Sequence, residues 1–216
     1  MKEEPITFSS GNLTLEGMIV RPASTGARGG VVCHPHPQYG GSMLNNVVES
    51  ALEAMWRLSW GTLRFNFRGV GGSQGEHSGG SGEAVEAGAA VRFMAAELGF
   101  DTQRIVLAGY SFGAIAAMSA ASNLPNLGAL MLIALPLRMA DADGLKQLNV
   151  PLVLAAGDRD NYCPSVQLQA LHAALGSPAQ LKIISGADHF FGGYEAELTD
   201  GLEPMLRAIW TENHRE

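Results

Sequence analysis

Cysteine is nearly absent from this chain: Cys33 and Cys163 are the only two in 216 residues, too few for a disulfide framework. Basic residues are also short. Fourteen Lys and Arg against 21 Asp and Glu leave a net charge of −7, which argues against nucleic acid, where phosphates must be neutralised, and disfavours anionic membrane surfaces. No run approaches the ~18 consecutive apolar residues of a membrane span. Met1-Lys2-Glu3-Glu4-Pro5 puts acids and a proline where a signal peptide needs an apolar stretch. A soluble, cytoplasmic protein is expected, and monomer and homodimer are equally compatible with it. Repeats and low-complexity tails are lacking too. With 46% hydrophobic residues the chain can bury one good-sized core, so a single domain over residues 1–216 is the expectation.

What is present is a rhythm of strands and helices. Leu13, Leu15, Gly17 and Ile19 alternate with polar or small neighbours and predict an early antiparallel strand. Parallel strands are expected at Gly30–Cys33, around Leu63, Phe65 and Phe67, and at Ile105–Ala108, Leu127–Ala134, Leu152–Ala156 and Leu181–Ile184. Helical spacing links Leu44, Val47, Val48, Ala51, Leu52 and Met55, then Val85, Ala89, Phe93 and Ala96, and finally Leu198, Leu202, Met205, Leu206 and Ile209. Strands alternating with helices predict an α/β fold, a largely parallel sheet with helices on both faces. Only the glycine- and serine-rich stretch from Gly69 to Gly82 reads as flexible.

Between the apolar run Ile105–Ala108 and the alanine-rich Ala114–Ala121 stands Gly109-Tyr110-Ser111-Phe112-Gly113. A G-x-S-x-G at a strand-to-helix junction places serine on a tight, strained turn with its hydroxyl exposed. The glycines are needed where strand and helix pass closely. Sites in open parallel sheets form at the carboxyl ends of strands. The polar residues following the strands are His34 to Gly41, Arg68 to Ser73, Ser111, Gly157 to Asp160 and Asp188 to Phe191.

A serine hydroxyl needs a base within hydrogen-bond reach. His189 would take the Ser111 proton and return it to the leaving group, and an acid would orient the imidazole. Asp188 adjoins His189 and is badly placed to reach its own neighbour's ring. Asp160 lies deeper in its loop than Asp158 and is favoured; Asp158 could instead hold the turn by an Asx-type bond. The developing oxyanion needs amides: Phe112, at a helix N-terminus, and one from the loop after Gly30–Cys33. Pro35 and Pro37 have no N–H, which leaves His36, Gln38 or Tyr39, with Gln38 preferred and Tyr39 next. Gly40-Gly41 lets that loop fold sharply.

These residues resemble a family. From about His34 to Phe191 the chain is similar to the compact bacterial serine hydrolases of the α/β-hydrolase superfamily, close to the dienelactone-hydrolase-like branch. His36-Pro37-Gln38-Tyr39-Gly40 sits where such enzymes carry a histidine-led oxyanion loop, whose third residue gives the amide. Phe65 to Ser73 resembles the Arg-Gly-x-Gly-x-Ser turn, a structural signature. Gly157-x-x-Asp160 with Pro164 resembles the acid loop, and Gly186-Ala187-Asp188-His189 the histidine loop. The resemblance implies Ser111, Asp160 and His189 as the triad, with no cofactor and a small-molecule ester as substrate. Dienelactone hydrolases use cysteine as nucleophile; serine here favours ordinary ester hydrolysis. Thioesterase or peptidase action by the same triad, and a non-catalytic partner-binding role, are the alternatives. Only Leu135 to Val150 fills the place where larger relatives insert a lid, so an open, shallow site is expected.

Other features have competing roles. Tyr39, Tyr162, Phe190 and Phe191 would either line an acyl or alcohol pocket or pack at loop bases. His34 and His36 are two apart, but no third metal ligand with supporting spacing stands near, and bracing the loop is the better reading. Gly69-Val70-Gly71 resembles a dinucleotide loop, yet Gln74 stands where the third glycine belongs. Cys163 would be a buried, inert thiol, and Arg68 would anchor its own loop rather than greet an acidic substrate.

Overall fold

A computed structural model describes residues 2–22, 24, 28–176 and 179–210. Among them are strands β1 (Glu4–Ser10), β2 (Leu13–Val20), β3 (Gly29–Cys33), β4 (Gly61–Phe65), β5 (Ile105–Tyr110), β6 (Ala129–Ile133), β7 (Leu152–Gly157) and β8 (Ala179–Ile184). They form one eight-stranded sheet in the order β1-β2-β4-β3-β5-β6-β7-β8. The first two strands run antiparallel to their neighbours, and every pairing from β4–β3 to β7–β8 is parallel. The helices are α1 (Asn46–Arg57), α2 (Ser81–Leu98), α3 (Phe112–Ala121), the four-residue α4 (Ala142–Leu145), α5 (Ser165–Leu175) and α6 (Glu195–Ala208).

The central strands are continuous apolar runs because both faces are covered. Ile105, Leu107, Leu130 and Leu132 point to one core with Met94 of α2, Ala117 of α3 and Leu168 of α5. Val106, Ala108, Met131 and Ile133 point to the other, with Leu52 of α1 and Leu202 of α6. The sheet thus carries helices on both faces, as the alternating pattern predicts, and only α4 occupies the lid position between β6 and β7. No helix of the described residues is long and apolar enough to cross a membrane.

Several local expectations differ. Strand β1 adds an outer strand that the sequence marks only weakly, with Ile6 and Phe8 as its large apolar residues and Pro5 within it; an outer strand needs little more. Leu44 lies ahead of α1 and is exposed, since Asn45 Oδ1 accepts the Val47 amide at 2.9 Å and starts the helix there. Helix α2 buries Ala84, Ala87, Ala90, Val91 and Met94, while Val85 and Ala96 face outward. Alanines share its inner face with Val91 and Met94, and Phe93 packs against the same core. The 69–82 stretch is stitched down rather than loose: Ser73 Oγ donates to the Asn66 carbonyl at 2.6 Å and accepts the Glu16 amide at 3.1 Å.

Candidate active site

Ser111 joins β5 to α3 with φ 54° and ψ −118°, a region an L-residue adopts only at a cost of about 1–3 kcal/mol. The surroundings enforce it. Its amide donates to the Ile133 carbonyl at 2.9 Å and its carbonyl accepts the Ala114 amide at 2.9 Å. A Cβ on Gly109 would stand 2.1 Å from the Gly113 carbonyl oxygen, and one on Gly113 would stand 2.4 Å from the Cys33 carbonyl oxygen. Both collisions are with backbone, so the two glycines let β5, α3 and β3 approach closely.

The serine hydroxyl faces a base. Ser111 Oγ lies 2.9 Å from His189 Nε2, and His189 Nδ1 lies 2.8 Å from Asp160 Oδ2. An ionised carboxylate only accepts, so Nδ1 carries the proton and Nε2 presents its lone pair to the hydroxyl. The other Asp160 oxygen, Oδ1, accepts the Tyr162 amide at 2.8 Å and the Cys163 amide at 2.9 Å, which fixes the carboxylate plane. Asp160 and His189 are both buried.

The neighbouring acids do other work. Asp158 accepts the Gly186 amide at 2.7 Å and the Ser185 hydroxyl at 3.1 Å, tying the loop after β7 to the histidine loop. Asp188 accepts the Phe190 amide at 2.9 Å, a short Asx turn just past the histidine. The Tyr110 hydroxyl donates to the His189 carbonyl at 2.9 Å. Burial, then the charges of Asp160 and Asp188, pushes that phenol well above its ordinary value, so it remains a donor.

The Phe112 amide opens α3 and has no carbonyl a turn behind it in that helix. Gln38 is different. Its amide donates to His36 Nδ1 at 3.2 Å, and the Tyr39 amide donates to the His36 carbonyl at 3.1 Å. The two favoured second donors, Gln38 and Tyr39, are therefore engaged by His36, and meeting an oxyanion would require an exchange of partner. A Cβ on Gly41 would stand 2.1 Å from the Pro35 carbonyl oxygen, so the sharp fold of this loop does depend on glycine.

His34 is fully buried, its Nδ1 2.6 Å from the Pro35 carbonyl and its Nε2 accepting the Phe67 amide at 3.0 Å. Burial lowers its pKa to about 4, against the raising effects of the Pro35 carbonyl and Glu83. It braces the loop as a neutral ring. Arg68 Nε donates to the buried Glu86 carboxylate at 2.5 Å and anchors its own loop. Among the described residues no group of three His, Cys, Asp or Glu is arranged to hold a metal. Burial pushes the Cys163 thiol up to about 12.

Sequence reasoning missed His77 and Glu83. The His36 ring sits 4.7 Å from Phe112 and 4.8 Å from His77, and His77 lies 5.4 Å from Phe112. His77 Nδ1 is 2.8 Å from Glu83 Oε1 but off the line of a hydrogen bond, an ion-pair contact whenever the ring is charged. Burial alone would raise the Glu83 pKa; bonds from the Ser78 amide and hydroxyl and the Gly80 amide outweigh it and hold the carboxyl below its ordinary value. The only sequence signal was Glu83 three residues after Gly80 at a helix start. Of the four aromatic candidates, Tyr39, Tyr162 and Phe190 are exposed, whereas Phe191 is wholly buried and belongs to the core.

Comparison with known proteins bears on the family and the fold. The family model described as "Alpha/beta hydrolase domain" matches residues 39–205. An uncharacterised protein of Rickettsia prowazekii is 32% identical over 97% of this chain and 91% of its own length. An alpha-beta serine hydrolase homologue from Coxiella burnetii superposes with a TM-score of 0.86 at 35% identity, covering 95% of this chain and 98% of that one. A Xanthomonas campestris serine hydrolase described as lacking a lid gives 0.84 at 28% identity, over 96% and 95%. The sheet order, the serine turn and a family match spanning most of the sequence lead to one assignment: this chain belongs to the alpha/beta hydrolase family.

Proposed function

We propose that this hydrolase cleaves small or medium carboxylic esters through an acyl-enzyme on Ser111, with residues 1–216 acting as one catalytic unit in the cytoplasm. His189 Nε2 takes the Ser111 proton as Oγ bonds to the ester carbon. The Phe112 amide, joined by the Gln38 amide once it leaves His36, holds the oxyanion. The carbon–alkoxy bond breaks and His189 gives its proton to the leaving oxygen. Water enters by the same base and releases the acid. Asp160 keeps the proton on Nδ1 and stabilises the imidazolium.

The observation that carries this reading is the unbroken relay of 2.9 Å and 2.8 Å from hydroxyl through imidazole to a doubly held carboxylate. Its test is steady-state hydrolysis of p-nitrophenyl butyrate by wild type and Ser111→Ala. A loss of at least about 10⁴-fold in kcat on the variant is expected. A variant within tenfold of wild type would refute it. A butyryl thioester or anilide cleaved faster than the ester would move the reading to a thioesterase or peptidase.

A further inference from the structure

The two exposed aromatic rings beside the base say which part of the substrate they meet. In acylation the proton leaving Ser111 Oγ must reach the oxygen of the departing alcohol as the carbon–oxygen bond breaks. That oxygen must come within hydrogen-bond reach of His189 Nε2, so the alcohol lies along the open side of the imidazole. On the inner side the ring meets buried Tyr110, 5.6 Å away. Outside it meets Tyr162 at 4.7 Å and Phe190 at 5.5 Å.

Tyr162 and Phe190 remain 59% and 63% exposed although each sits on a tethered backbone. The Tyr162 amide is held by Asp160 and its carbonyl accepts the Leu137 amide at 3.2 Å. The Phe190 amide is held by Asp188, and its carbonyl accepts Asn46 Nδ2 at 3.1 Å. Asn46 Nδ2 is itself fixed by Glu195 at 2.9 Å. The loops that carry both rings are therefore fixed at the backbone. Two exposed aromatic rings beside a proton donor suit a planar apolar group, which gains ring contacts and loses water there.

Resting on the ester-hydrolase reading above, we infer that Tyr162 and Phe190 form the leaving-group cleft and select esters of aromatic over short aliphatic alcohols. Tyr39 is 86% exposed and packs on His36 at 4.7 Å, at the oxyanion end; it lies outside this cleft.

The test compares benzyl butyrate with ethyl butyrate. Both pass through the same butyryl-enzyme, so their difference in kcat/KM arises in acylation alone. In Tyr162→Ala and Phe190→Ala the benzyl-to-ethyl ratio of kcat/KM should fall about tenfold, the worth of one aromatic contact. In Tyr39→Ala it should stay within twofold of wild type. Ratios unchanged in both cleft variants, or a larger fall in Tyr39→Ala, would overturn the inference while leaving the hydrolase intact. Wild type that turns over neither ester overturns the ester-hydrolase reading and this inference with it.

Discussion

Replacing Asp160 by asparagine changes one oxygen for an NH₂ and separates orientation from charge. Asp160 Oδ1 accepts two backbone amides, from Tyr162 and Cys163, at 2.8 and 2.9 Å. An NH₂ group there would face two donors, and each unmet amide would cost about 1–3 kcal/mol. The asparagine must therefore keep its oxygen at that position and turn its NH₂ towards His189 Nδ1. Nδ1 then has to accept, the ring proton moves to Nε2, and no lone pair remains 2.9 Å from Ser111 Oγ. A wrong-tautomer histidine lowers kcat about 10⁴-fold, or about 5 kcal/mol of transition-state stabilisation. The packing is unaltered, so the thermal midpoint should move by no more than about 3 °C, equivalent to about 1 kcal/mol at this size. Rates of p-nitrophenyl butyrate hydrolysis and a melting curve on the same preparation decide it. A folded Asp160→Asn enzyme within tenfold of wild type would refute the assigned role.

Three further outcomes follow from the same geometry. His34 titrates at about 4 in the fold against about 6.5 when unfolded; between those values the unfolded chain binds more protons. Stability should therefore be lost as pH falls from 6.5 to 4, by about 1.4 kcal/mol per unit and about 3 kcal/mol in all from this residue. Urea midpoints across that range should fall less steeply in His34→Gln; an equal slope would contradict the assignment. Gly113→Ala forces a Cβ against the Cys33 carbonyl oxygen at 2.4 Å and should cost about 3 kcal/mol, a fall of about 10 °C in Tm, whereas an unchanged Tm would show that the strand and helix can part. Cys33 and Cys163 are buried, and burial is the first cause raising both thiols. Iodoacetamide should add to neither in the native protein and to both in urea, as read by intact mass; labelling of Cys163 in the native state would show that the acid loop opens.

The alternating parallel core was legible because strands covered on both faces must be apolar throughout, as Ile105–Ala108 and Leu152–Ala156 are. That Ser111, His189 and Asp160 would meet was legible because a serine, acid, histidine order at strand ends brings them to one edge, and Asp160, deeper in its loop than Asp158, is the acid whose carboxylate reaches the ring. Features governed by tertiary contact were hidden. The inner face of α2 mixes alanines with Val91 and Met94, so the stripe through Val85, Ala89, Phe93 and Ala96 meets the core at Ala89 and Phe93 but not at Val85 or Ala96, which face outward. His77 reaches Phe112 and His36 through a loop without periodicity. The engagement of the Gln38 amide by His36 depends on a side-chain rotamer that no spacing encodes.

The central claim is that Ser111 is an activated nucleophile. Intact mass after exposure to a fluorophosphonate, on wild type and Ser111→Ala, tests it most directly. One adduct on wild type and none on the variant is the predicted result. Folded wild type that takes up no adduct would contradict the account and leave the fold as a binding scaffold.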